Sequence, residues 1–81
     1  MGASPATYDE FVRLVHTTFP NDGDIRWGQH WFNVLHNVRP DLANEIRGTV
    51  MDPFYRDYVK PITQTYVQMG WNVANSQEEI S

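Results

Sequence analysis

Two proline-containing junctions in the middle of the chain constrain its fold more than any other feature. Arg39-Pro40 disfavours helix at residue 39 and places proline in a first helical turn, and the Gly48 that follows Arg47 suits a left-handed helix end. The same pattern recurs at Asp52-Pro53, where an aspartate can cap a second helix start. The sequence therefore predicts a helix of about two turns from residue 40, a stop at 48, and a new helix at 53–59.

A first amphipathic helix is predicted near the amino end of the chain. Ser4-Pro5 and the capping box at 7–10 give two overlapping start signals, and the polar cluster at 20–24 ends the helix. Apolar residues recur at helical spacing along one face: Tyr8, Phe11, Val12, Val15 and Phe19.

A second amphipathic helix is predicted to start near Asp24 or Ile25 and to run to Val38. Its apolar face holds Trp27, Trp31, Val34, Leu35 and Val38, whereas Gln29, His30, Asn33 and Asn37 lie on the polar side. Gly28 weakens a helix interior by about 1 kcal/mol relative to alanine. Either the helix begins close to this glycine, or another backbone packs against it.

The last third of the chain predicts a break at Lys60-Pro61 and a final helix from Pro61 to about Gly70, which would act as its cap. Residues 1–4 and 75–81 are expected to be frayed. The prediction is an all-α fold: one domain over residues 1–81, built as a compact bundle of four or five short helices. Its expected core contains Phe11, Val15, Trp27, Trp31, Leu35, Leu42 and Ile46.

Charge and cysteine content narrow the classes of partner and compartment. The 81 residues include six basic and ten acidic side chains, so the net charge of −4 makes nucleic acid an unlikely partner. The absence of cysteine excludes disulfides and thiolate metal sites and fits a reducing compartment. No signal peptide or membrane span is visible, so we expect a cytoplasmic protein that does not enter a membrane.

The sequence holds no recognisable catalytic or metal-binding motif. His16, His30 and His36 are the borderline metal ligands, and the last two point about 120° apart on one helix. Nucleophile elbows, phosphate loops and zinc-protease motifs are all absent. We therefore expect a protein that is not an enzyme and that uses no metal and no cofactor, with its histidines in polar or interface positions. A helix-turn-helix interpretation of residues 25–47 is disfavoured, because the recognition helix would present two acids to phosphates.

Aromatic residues are more numerous than a core of this size needs: three Trp, four Tyr and four Phe. Five of them, Phe11, Phe19, Trp27, Trp31 and Phe54, are expected to form the core. Aromatic and arginine side chains dominate binding hot spots. The candidate protein-binding residues are those left over, as an exposed patch: Phe32, Tyr55, Arg56, Tyr58 and Trp71. Packing of Arg56 on a neighbouring tyrosine is the alternative for that arginine.

The segments WGQ, RPDLA, IRGT and DPFY, in that order between Trp27 and Tyr55, resemble a family of small proteins encoded by bacteriophages. The resemblance covers about a third of the chain. It carries no catalytic motif and implies expression inside a bacterial host. We therefore expect a phage-type accessory protein that binds a host protein and inhibits or redirects it. The alternative is a homo-oligomeric structural or regulatory module, a homodimer for example.

Overall fold

The protein was analysed as a computed structural model, which describes the backbone of residues 5–20 and 23–80 and the side chains of 5–20 and 23–72. In chain order the elements are α1 (Tyr8–Thr18), α2 (Trp27–Val38), α3 (Pro40–Ile46) and α4 (Pro61–Ile80). The described residues contain no β-strand, and the predicted all-α fold is confirmed. Residues 1–4 and 81 lie outside the described part. The predicted fraying of residues 1–4 stays a prediction, whereas the backbone of 75–80, for which fraying was also predicted, belongs to α4.

α1 begins as its capping box predicts. The Thr7 side chain accepts a hydrogen bond from the Glu10 amide at 3.2 Å, and the Glu10 carboxylate accepts one from the Ala6 amide at 2.8 Å. Phe11 and Val15 are completely buried on the inward face of this helix. The cap and the apolar stripe together fix where α1 starts and which face it buries.

α2 begins at Trp27, two or three residues later than predicted, and Gly28 explains the start. No side chain caps this helix; instead the Gly28 amide donates to the Arg56 carbonyl at 3.0 Å. A Cβ at residue 28 would lie 2.2 Å from the Pro53 carbonyl oxygen and 2.5 Å from that of Arg56. Both interpretations of the glycine are therefore correct, because the helix starts beside it and another backbone segment packs against it.

The same contact accounts for the helix at 53–59 that the sequence wrongly predicts. The chain forms a tight turn there, in which the Arg56 amide donates to the Pro53 carbonyl at 2.9 Å. The Arg56 carbonyl caps α2 and so does not accept from an amide four residues onward, as a helix would require. Pro61 also disfavours helical geometry at Lys60.

α3 has its predicted start at Pro40, and Gly48 after its end adopts a positive φ of 76°. α4 differs from the prediction, because Gly70 lies inside a helix of 20 residues rather than capping it. A Cβ at residue 70 would lie 2.6 Å from Cδ2 of Leu42, so this glycine lets α3 and α4 approach closely. Its role is interhelical packing, which helical spacing alone does not distinguish from a cap.

The four helices share one apolar core. Six of the seven expected core residues are buried; Trp27 is half-buried and packs edge-on against Phe19, with ring centroids 5.1 Å apart. Phe19 and Phe54, which we also expected inside, are half-buried as well. The buried apolar side chains are Phe11, Val15, Trp31, Phe32, Val34, Leu35, Leu42, Ala43, Ile46, Val59, Val67 and Trp71.

His30 is buried between α1 and α2, which corrects its expected place on a polar or interface face. Its Nε2 lies 3.1 Å from the Val15 carbonyl oxygen and 3.0 Å from the Thr18 hydroxyl. A carbonyl oxygen only accepts, so the ring carries a proton on Nε2. The Thr18 hydroxyl itself donates to the Leu14 carbonyl at 2.7 Å. The histidine thus ties the carboxyl end of α1 to α2.

Candidate protein-binding groove

An open groove of about 290 Å³ lies between the second half of α2 and the segment that joins α3 to the 53–56 turn. Aromatic rings form its apolar part and four polar side chains surround them. We call it the aromatic groove, and its lining residues are Phe32, Asn33, His36, Arg47, Asp52, Phe54 and Tyr55.

Three aromatic rings form a continuous edge-to-face series in the groove. Phe32 is 5% exposed and packs against Phe54, with centroids 5.9 Å apart and planes at 87°. Phe54 in turn meets Tyr55 at 4.9 Å and 71°. Tyr55 is 80% exposed, so the series runs from the core to solvent. Such rings offer a partner a large apolar area that costs little conformational entropy to order.

Two basic side chains cover the Phe32 ring. The Arg47 guanidinium carbon lies 5.7 Å from the ring centroid, and the His36 ring stacks on Phe32 at 6.5 Å with planes 27° apart. Both side chains are exposed. Within the described part of the chain, the Arg47 side chain makes no ion pair and no hydrogen bond. Its donors therefore remain available to a ligand.

Asp52 holds the loop that carries two of the groove residues. One carboxylate oxygen accepts from the Gly48 amide at 2.8 Å, and the other accepts from the Phe54 amide at 2.9 Å. The aspartate was expected to cap a helix, and it performs a similar task for a turn. It fixes the approach of Phe54 to the groove and keeps the Gly48 turn closed.

The contact of Gly28 with the 53–56 turn fixes the other side of the groove. The turn lies directly against α2 because residue 28 has no side chain. Thr63 of α4 also holds this segment in place, because its hydroxyl donates a hydrogen bond to the Met51 carbonyl at 2.8 Å. A backbone contact from α2 and a side-chain hydrogen bond from α4 thus support the segment that presents Phe54 and Tyr55.

Of the five residues predicted to form an exposed binding patch, the structure brings only Phe32 and Tyr55 to the groove. The expectation that Phe32 and Trp71 are exposed is wrong. Trp71 is 1% exposed and packs against Phe11 at 5.1 Å. The Arg39 guanidinium covers the same Trp71 ring, 5.1 Å from its centroid.

Arg56 and Tyr58 are exposed, as predicted, but do not line the aromatic groove. The Arg56 guanidinium carbon lies 5.9 Å from the Tyr58 ring centroid, which matches the alternative of packing on a neighbouring tyrosine. The prediction missed His36, Arg47, Asp52 and Phe54 as groove residues. One signal was available, because His36 follows Phe32 by four residues on one helix.

A second surface feature lies on α4. Ile62, Tyr66 and Met69 are 60%, 39% and 61% exposed and are spaced along one side of the helix. The Tyr66 hydroxyl donates to the Glu45 carboxylate at 2.6 Å, and that hydrogen bond raises the pKa of Tyr66. We call these three residues the α4 face. Their spacing leaves Thr63 and Val67 to face the core.

The described part of the chain contains neither a metal-binding cluster nor a membrane-spanning helix. Across residues 5–20 and 23–72, no three His, Asp or Glu side chains lie close enough together to hold a metal ion. None of the described helices combines the length and the apolar character that crossing a membrane requires. In comparisons with protein-family models, curated proteins and solved structures, nothing matches this chain.

Proposed function

We propose that this protein is a small accessory protein, of the phage type that its sequence segments resemble, which binds a protein of the bacterial host. The aromatic groove is the binding site in this proposal, and occupying it would inhibit or redirect the host protein. The observation that carries the proposal is the groove itself, in which an arginine without an ion-pair partner among the described residues lies beside a largely exposed tyrosine. Arginine and tyrosine are two of the three residue types most enriched in binding hot spots.

The exposed side chains of the groove contribute little to the stability of the fold, and they are available to contact a partner. Tyr55 is 80% exposed, so its removal costs the folded chain little, whereas covering it with a partner would bury most of a large ring. Arg47 is exposed, and cation–π contacts at exposed sites contribute only about 0.5–1 kcal/mol. Both side chains would therefore contribute more to the free energy of binding a partner than they contribute to the stability of the free protein.

Affinity purification from bacterial cells tests the proposal. Tagged wild type should capture a defined host protein, and Arg47→Ala and Tyr55→Ala should each weaken the capture by about 1–2 kcal/mol or more. Arg13→Ala is the matched control, since Arg13 is exposed on α1 and does not line the groove. It should bind like wild type, and all three variants should keep the wild-type melting temperature within a few degrees. Equal capture by all four proteins would refute the groove as the binding site.

The α4 face supports a second candidate function, a homodimeric module. An apolar stripe on one side of a helix can pair with the same stripe of a second copy around a two-fold axis. The segment 61–77 itself contains no charged residue, and the acid that contacts this face, Glu45 of α3, accepts a hydrogen bond from Tyr66. Light scattering of the wild type and of Met69→Lys decides the matter. A dimer mass that falls to the monomer mass in the variant would favour this candidate.

A further inference from the structure

The groove contains an arginine that has no ion-pair partner among the described residues, although the whole chain is negative. Its two formally charged side chains are Arg47 and Asp52. The Asp52 oxygens accept from the Gly48 and Phe54 amides, so that charge is stabilised within the loop. Arg47 has no anionic partner among the described residues, and the neighbouring His36 adds further N–H donor capacity. The free donors at this site therefore suit an anion.

The position of the Arg47 guanidinium over Phe32 indicates how an anion would be bound. A guanidinium that lies over an aromatic ring can keep N–H donors free, and its planar edge binds a carboxylate or a phosphate through two parallel hydrogen bonds. The carboxylate is the anion that an unmodified protein segment carries. Phe32 supports the guanidinium on one side, at 5.7 Å. The same ring, with Phe54 and Tyr55, forms the apolar part of the groove. A ligand that contacts both the Arg47 guanidinium and the apolar rings has a carboxylate next to an apolar or aromatic side chain.

Pockets for whole small molecules usually measure about 300–1,000 Å³. At about 290 Å³ and open to solvent, this groove lies at the lower end of that range and can also take one large side chain with its flanking residues. We infer that the aromatic groove takes an acidic segment of a partner protein, in which Asp or Glu lies next to a Leu, Phe, Tyr or Trp. This inference rests on the proposed function and names the chemistry of the partner. A basic segment would meet the Arg47 charge with a like charge, whereas both oxygens of Asp52, the acid of the groove, already accept from loop amides.

A displayed library of random dodecapeptides provides the test. Peptides are selected on immobilised wild-type protein, and those that also bind Tyr55→Ala are removed, so that only groove-dependent sequences remain. The expected result is enrichment of Asp or Glu beside a large apolar residue. Enrichment of groove-dependent peptides that lack an acid, or that are basic, would overturn the inference and leave the proposed function standing. If no selected peptide depends on Tyr55, both fail.

A double-mutant cycle then checks the individual contact. With an enriched peptide, Arg47→Gln should weaken binding about tenfold or more. Replacing the peptide carboxylate by its amide should cost a similar factor, and the two changes together should cost little more than either alone. Arg47→Lys keeps the charge without the bidentate geometry and should recover part of the affinity. Full additivity would show that the carboxylate does not contact Arg47 and would overturn the assignment.

Discussion

Gly28→Ala should destabilise the protein, although the same change normally stabilises a helix. The new Cβ would lie 2.2 Å from the Pro53 carbonyl oxygen and 2.5 Å from that of Arg56, where ordinary contacts begin near 3.4 Å. The turn must therefore retreat by about 1 Å, which is overpacking that costs about 1–3 kcal/mol. Retreat also loses the 3.0 Å hydrogen bond from the Gly28 amide, worth about 1 kcal/mol.

Alanine offsets up to about 1 kcal/mol of that cost through its helix propensity, so the expected net loss is about 2 kcal/mol. Urea denaturation followed by tryptophan fluorescence measures it as a lower midpoint with an unchanged slope. Gly70→Ala is the matched control, because its Cβ would meet only the end of the Leu42 side chain, which can move. It should change stability by less than about 1 kcal/mol. If Gly28→Ala is as stable as wild type, the docking of the turn on α2 is not as described.

Three further predictions address the core, the groove loop and the response to pH. Leu35→Ala should cost about 2–5 kcal/mol in urea denaturation, since Leu35 is completely buried; a loss below about 1 kcal/mol would contradict its place in the core. Asp52→Ala should cost about 1–2 kcal/mol by the same assay, because the Gly48 and Phe54 amides lose their acceptor, and an unchanged midpoint would contradict that role. Burial, helped by the Asp9 charge, raises the pKa of Tyr8 to about 12 from 10.0. The unfolded chain therefore loses this proton first, so stability should fall as the pH rises from about 10 to 12. Tyr8→Phe should reduce this fall, and Tyr66, whose pKa is also raised, accounts for part of the remainder.

Local signals in the sequence predicted all four helices, and they placed the starts of α1, α3 and α4 correctly. The capping box at Thr7, the proline at residue 40 and the glycine at 48 act within a few residues of the ends that they mark. The predictions were wrong where segments that are far apart in the sequence contact each other. Residues 53–59 form turns because Arg56 caps α2, some 28 positions away in sequence, and Gly70 packs on α3 instead of ending α4.

The groove was predictable only in part for the same reason. Phe32 lies beside the apolar stripe of α2, which suggested exposure, but Phe54 and Arg47 reach it from the loop that follows α3. Nothing in local spacing indicates that this loop folds back over α2. Tyr55 was identified correctly as exposed, on the basis that it flanks Arg56 and was not needed in the core.

Photo-cross-linking tests the central claim, that the aromatic groove contacts a host protein, most directly. The photo-reactive residue p-benzoylphenylalanine is placed singly at position 55 in the groove, at 69 on the α4 face, and at 13 on α1, and each protein is irradiated in bacterial cells. Our account predicts one covalent adduct with a different protein from position 55, lost when Arg47→Ala is added, and none from 13. An adduct from position 69 alone, with the mass of two copies of this chain, would contradict the account and establish the α4 face as the interface.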